Sequence, residues 1–326
     1  MLDTIRFVRG AVSDKITGPQ PILTHFFIYD GRIQGSDGRV AIDASCPELT
    51  INATLNADKF LRAIDICGDK VKLKVTEGGK VSITDGRFRA ILSSHTADYP
   101  RNDPSKGKKI KVPAGFIDEL RLLKPFIGED ATRAWSSNVY FHQGNAFAIY
   151  NAMLGVILKS VMGEFDISLP LHCMEELIRI GDPPDSMVQD SISLTFFWGK
   201  DRWLKSQLLV DEWPSKTAED LVASFPKKLQ AIPEGFLDAI QKLVPFCKDP
   251  SYPVIDFDER GISTEEGDSK AEITGIKLAD FRSDSRNLVA LLNNAAEMFI
   301  NAEGTRAYFR NKETRWLGIL AGIRKT

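Results

Sequence analysis

The chain has 326 residues, 43% of them hydrophobic and 26% charged, with a formal net charge of -2. That length allows two or three domains of roughly 100 to 150 residues, the composition excludes a low-complexity or disordered chain, and the near-neutral charge excludes a globally basic nucleic-acid surface. No apolar run approaches the roughly 18 residues that span a bilayer, and MLDTIRFVRGAV at the N-terminus lacks the apolar segment and cleavage site of a signal peptide, so a cytoplasmic protein is expected.

The first predicted element is a helix over Met1 to Val12, with Leu2, Ile5 and Val8 on one face and Arg6 and Arg9 together on the other. Residues 25–44 (HFFIYDGRIQGSDGRVAIDA) read as hairpins, residues 55–69 (LNADKFLRAIDICGD) as a helix of about three turns, and residues 71–94 as an antiparallel meander across Gly-Gly and Asp-Gly turns. A lysine-bearing seam, NDPSKGKKIKVP at 102–113, leads into VPAGFIDELRLLKPF at 112–126, where Phe116, Leu120 and Leu123 keep helical spacing and Arg121 and Lys124 face outward. Hairpins over 138–160, a helix over 169–182 and strands over 191–210 follow. A second seam, SFPKKLQAIP at 224–233, leads into IPEGFLDAIQKLVPF at 232–246, identical to the earlier fifteen-residue stretch at seven positions. The last third adds hairpins over 254–276, a helix over 283–297 capped by Ser283 or Asp284, and strands over 306–325.

Each third thus reads helix, hairpins, helix, hairpins, and the last strand opens each time on Arg and a large aromatic: Arg87-Phe88, Arg202-Trp203 and Arg315-Trp316. The expected fold class is α+β, three tandem repeats of two helices packed on antiparallel sheets, with domains at 1–108, 109–226 and 227–326.

The chemistry inventory is sparse. The chain has no phosphate-binding glycine loop, HExxH or GxSxG motif, its four cysteines form no CxxC pair, and His25, His95, His142 and His172 are scattered singly. Acidic pairs such as Glu175-Glu176 and Asp256/Asp258 fit solvated surface better than catalysis. No catalytic residue, metal or cofactor is expected.

This three-fold pattern, with strings such as FFIYDGRIQGSDGRVAI and the terminal GILAGIRK, resembles the bacterial-type DNA polymerase sliding clamp (the DNA polymerase III beta subunit family) along essentially the whole chain. NAMLGVILKS at 151–160 departs from the family's usual Thr-Asp-Gly-His-Arg-Leu string, as a divergent, phage-encoded member would. The resemblance implies a non-enzymatic processivity factor: a head-to-tail homodimer ring around double-stranded DNA, with helices lining the hole. A ring that slides needs few, sequence-independent phosphate contacts, and Arg6, Arg9, Lys59, Arg62, Arg121, Lys124, Arg179, Lys242, Arg282 and Arg286 are the candidate DNA-facing residues. The resemblance further implies that DNA polymerase and the clamp loader insert short apolar peptides into a pocket between the second and third domains, for which Pro214, Ile319, Ala321 and Ile323 match by position. The alternatives are a clamp-fold recruitment platform without a replication role and an enzyme built on tandem α+β domains.

Overall fold

The structure, a computed structural model, describes residues 1–14, 21–67, 71–130, 132–208 and 212–324. The first repeat contains helix α1 (Leu2–Arg9), strands β1 (His25–Tyr29), β2 (Arg32–Ser36), β3 (Val40–Ser45) and β4 (Ala53–Asn56), helix α2 (Ala57–Ile66), and strands β5 (Lys72–Val75), β6 (Lys80–Asp85) and β7 (Phe88–Ser93). The second contains β8 (Ile110–Lys111), α3 (Phe116–Leu123), β9 (Asn138–His142), β10 (Asn145–Tyr150), β11 (Met153–Ile157), β12 (Ile167–Pro170), α4 (Leu171–Ile180), β13 (Ser186–Gln189), β14 (Ser193–Trp198) and β15 (Arg202–Gln207). After helix α5 (Ser215–Ala223), the third contains β16 (Gln230–Ala231), α6 (Phe236–Leu243), β17 (Val254–Asp258), β18 (Gly261–Thr264), β19 (Lys270–Glu272), β20 (Phe281–Asp284), α7 (Ser285–Leu292), β21 (Glu297–Ile300), β22 (Arg306–Asn311) and β23 (Trp316–Ala321). The expected α+β order recurs three times. No helix among the described residues is long and apolar enough to cross a membrane.

The repeated Pro-x-Gly-Phe string is a helix-entry turn. The amide of Phe116 donates to the Pro113 carbonyl (3.4 Å) and that of Phe236 to the Pro233 carbonyl (3.2 Å). Gly115 (φ 89°) and Gly235 (φ 79°) occupy the left-handed region that the turn needs and a Cβ would strain. Phe236, Ile240 and Leu243 then face the core, and the closing Pro125 and Pro245 tighten the last turn to a 3₁₀ geometry.

The helices of the second kind start later than periodicity suggests. Leu55 lies in β4 opposite Phe26, and Leu169 lies in β12 opposite Val139. A buried leucine fits the helical stripe and the inward face of the preceding strand equally, and Asn56, whose side chain accepts from the Lys59 amide at 3.1 Å, sets the boundary of α2. Residues Gly68 and Asp69 at the end of that expected helix lie outside the described residues. Asp284 caps α7 in the same way, accepting from the Arg286 amide at 2.9 Å. This helix ends at Leu292, short of the expected 297, and Glu297, the last residue of the expected helix, opens strand β21 instead.

The chain divides into two compact units, Met1–Ile117 with His172–Val210, and Asp118–Leu171 with Asp211–Thr326. In the first, one eight-stranded antiparallel sheet runs β4-β1-β2-β3-β15-β14-β13-β8, beside a three-stranded sheet β5-β6-β7. Ile5 and Val8 of α1 are fully buried, and Phe26 meets Phe60 of α2 edge-on at 6.4 Å. In the second unit the eight-stranded sheet runs β12-β9-β10-β11-β23-β22-β21-β16, with a four-stranded sheet β19-β18-β17-β20. Both large sheets are joined by one rule: the third strand after the opening helix of one repeat pairs antiparallel with the last strand of the next, β3 with β15 and β11 with β23.

At the β11/β23 seam Gly155 stands opposite Gly318. The space takes the ring of Phe126, fully buried, whose centroid is 5.6 Å from that of Trp316. A Cβ at Gly155 would lie 2.6 Å from Phe126 Cδ2. A further cluster on this sheet joins Val156, Leu317 and Ile319 to Trp213 and to Ala218 of α5.

Candidate functional site

The second unit carries an apolar cavity of about 420 Å³, within the range that holds a few side chains of a bound molecule. Its wall is built by four stretches far apart in sequence. The β10–β11 hairpin contributes Ile149, Asn151, Ala152, Met153 and Leu154; Trp135 comes from the 3₁₀ turn before β9; α5 and the residue before it give Pro214, Thr217 and Leu221; and β22 and β23 give Arg306, Ile319 and Ala321. Asn151 adopts φ 53°, a left-handed conformation that asparagine tolerates better than most residues. Leu154 pairs with Ile319 across the β11/β23 seam, so the sheet itself forms the floor.

Beside the cavity the ring of Trp213 stacks on Tyr140 at 4.9 Å and meets Trp135 edge-on at 6.4 Å. These rings pack the pocket wall against the sheet, a large apolar area at low rotamer cost. Burial, followed by the hydrogen bond to Asp166, pushes the Tyr140 phenol up to about 12, so it stays neutral. The site has surface to bury, and among the described residues that line it Arg306 is the one cation; it offers shape and apolar contact.

Of the four residues expected here, the structure brings together Pro214, Ile319 and Ala321. Ile323 lines a different and more polar cavity, with Asp280, Arg282, Glu303 and Arg324, and its amide donates to the Arg282 carbonyl at 2.8 Å. The sequence reading did not select Trp135, Ile149, Met153, Leu154, Thr217 or Leu221. The available signal was the divergent string at 151–160, which turns out to begin on the pocket floor, together with the short amphipathic stretch after Pro214.

The ten candidate DNA-facing cations are placed as follows. Arg6 and Arg9 lie on α1, where Arg6 pairs with Asp65 (2.8 Å) and Arg9 with Asp14 (2.6 Å) and Asp58 (2.9 Å). Lys59 and Arg62 are exposed on α2 and make no ion pair among the described residues. Arg121 pairs with Asp118 on α3 (2.6 Å), Lys242 with Asp238 on α6 (2.6 Å), and Lys124 is exposed in the 3₁₀ turn after α3.

Arg179 on α4 pairs with Glu176 (2.8 Å) and donates to the Phe7 (2.7 Å) and Arg6 (3.3 Å) carbonyls, closing the C-terminal end of α1. Arg282 lies on strand β20, where it forks onto Asp256 (2.8 and 2.7 Å) and reaches Glu265 (3.2 Å). Arg286, on the first turn of α7, pairs with its cap residue Asp284 (2.5 Å) and donates to the Ser251 carbonyl (2.7 Å). The exposed pairs are weakly held in water, whereas the fork on Arg282 is largely screened from solvent.

No protein-family model matches the sequence, and no curated protein does. Solved structures match along the full chain. The DNA polymerase sliding clamp from Bacillus subtilis is 19% identical, with a TM-score of 0.77 over 100% of this chain and 97% of that one. The sliding clamp of Pseudomonas aeruginosa bound to griselimycin is 16% identical, with a TM-score of 0.78 over 100% and 97%. The Helicobacter pylori beta clamp bound to a DNA ligase peptide is 15% identical, with a TM-score of 0.74 over 99% and 97%. The chain has the sliding-clamp fold from end to end, and the resemblance read from its sequence holds at that level.

Proposed function

We propose that this protein is a sliding clamp, a non-enzymatic ring that encircles duplex DNA and tethers partner enzymes through short apolar peptides seated in the cavity around Pro214, Ile319 and Ala321. In this reading each chain supplies three domains, 1–108, 109–226 and 227–326, and two chains close the ring.

The observation that carries the proposal is the pairing rule of the sheets. The third strand after the opening helix of repeat one takes the last strand of repeat two, and the third after the opening helix of repeat two takes the last strand of repeat three. Two partners are left over: β19 at the edge of its four-stranded sheet and β7 at the edge of its three-stranded one. Continuing the rule pairs β19 of one copy with β7 of another, a head-to-tail contact that closes when it is satisfied twice.

The side chains support the same continuation. Phe126, buried against Trp316 at the internal seam, corresponds by the repeat to Phe246, which is 66% exposed. Trp316 corresponds to Phe88, the first residue of β7. Phe246 is thus an anchor without its aromatic partner, as expected if a second copy supplies Phe88.

A topological clamp binds duplex DNA by enclosure, so Lys59, Arg62 and the exchangeable surface pairs need only weak, long-range attraction to phosphate. The test is retention on nicked circular DNA at moderate salt, followed by linearisation. A clamp stays on the circle and leaves the linear product; equal retention on both, or loss from the circle, refutes the proposal.

A further inference from the structure

In the second and third repeats, the first strand of the second hairpin set has a short strand beside it. β13 is flanked by β8, with Met187 opposite Ile110, and β21 by β16, with Met298 opposite Gln230. The corresponding strand of the first repeat, β5, is the outermost of its sheet, and nothing among the described residues pairs with its outer edge. Alternate residues of this four-residue strand therefore keep their backbone donors and acceptors open where the other repeats close theirs.

The register makes this edge basic. Lys72 stands opposite Thr84 and Lys74 opposite Ser82, while Thr84 stands opposite Arg89 and Lys80 opposite Ser93. Strand alternation puts Lys72, Lys74, Lys80 and Arg89 on one face, and none of them makes an ion pair among the described residues. Lysines on an edge repel another copy of the same edge. The same charges admit a strand of opposite sign, so they act as a filter as well as a guard.

We propose that β5 is a strand-addition site for an extended, acidic peptide segment of a partner protein, with main-chain hydrogen bonds along β5 and carboxylates over Lys72 and Lys74. The complement of an open strand edge is another peptide backbone, which favours a peptide over a nucleic acid. Only two residues of β8 and of β16 suffice at the matching edges, so a short segment fits. The proposal is independent of ring formation and of the apolar cavity.

The probe is a blocked, fluorescein-labelled hexapeptide of alternating glutamate and valine, titrated into the full chain and followed by anisotropy. The expected result is saturable binding that weakens at least tenfold for the K72E/K74E double variant, whose changes are exposed and leave the melting temperature in place. It also weakens at least tenfold for the same peptide methylated at its backbone nitrogens, which keeps every charge and loses the donors. Absence of binding overturns the proposal, as does equal binding by the methylated peptide or by the double variant. So does tighter binding of a single-stranded hexanucleotide that depends on the same lysines.

Discussion

At the scale of single residues, the seam between β11 and β23 depends on the missing side chain of Gly155. Its Cβ would stand 2.6 Å from the Phe126 ring, which is itself fully buried against Trp316 and cannot retreat. Gly155→Ala is expected to destabilise the protein by about 1–3 kcal/mol, the usual range for overpacking a filled core; an unchanged urea midpoint would mean that the ring has room. His25 gives a pH signature. Burial, together with the charges of His95 and Lys59, lowers its pKa below the ordinary 6.5 against the opposing Pro21 carbonyl. The unfolded chain therefore takes up this proton first, and the neutral ring's contribution, complete above about pH 6.5, declines as pH falls toward the folded value. The urea midpoint of His25→Gln should fall less steeply than that of the parent between pH 7 and 5, and parallel curves would remove His25 as the cause. Residue chemistry of this kind was poorly legible in sequence. Arg179 and Arg282 read as surface cations, and only the folded chain shows one closing α1 through the Phe7 carbonyl and the other forked onto Asp256.

At the scale of elements, the repeat was legible because the same turn chemistry, Pro-x-Gly-Phe, recurs before α3 and α6 and because Arg-aromatic pairs recur before each last strand. Strands β4, β12 and β20 were not separated from the helices after them, since their inward leucine or serine also suits a helix start. Helix α5 was missed altogether: its buried stripe shrinks to Ala218, with Leu221 and Val222 half-covered, too short for periodicity to reveal. That helix supplies Thr217 and Leu221 to the cavity beside Pro214, so missing it hid those two lining residues. The cavity's role is testable at Ala321, which is exposed at the end of β23 and lines the pocket. Ala321→Glu places a charge where an apolar side chain would have to desolvate it. If the cavity seats a partner's apolar peptide as proposed, affinity for a labelled short apolar peptide should drop at least tenfold while the melting temperature moves by no more than a degree or two. Undiminished peptide binding would place the docking surface elsewhere.

At the scale of the whole molecule, the sequence could state that the chain repeats but not how the repeats exchange strands, because pairing across repeats is a property of sheet edges and leaves no periodicity. Once β3/β15 and β11/β23 are seen, β19 and β7 become the two open terms of a series. Their charges are compatible with pairing: β19 carries Lys270 and Glu272, and β7 carries Arg89 beside Ile91, which is half-exposed. Phe246 is the sharpest probe of this continuation, because its ring is largely in solvent in the single chain and so contributes little to the stability of that chain. If it fills the position against Phe88 of a second copy that Phe126 fills against Trp316, removing it deletes an aromatic anchor from the centre of the contact, where truncation costs on the order of 2–4 kcal/mol. Phe246→Ala should then keep the thermal stability of the monomer and weaken self-association at least tenfold, read as a shift from dimer to monomer in sedimentation velocity at micromolar concentration. A dimer that persists unchanged would place the contact on other edges, and a parent chain that sediments only as a monomer would break the ring reading itself.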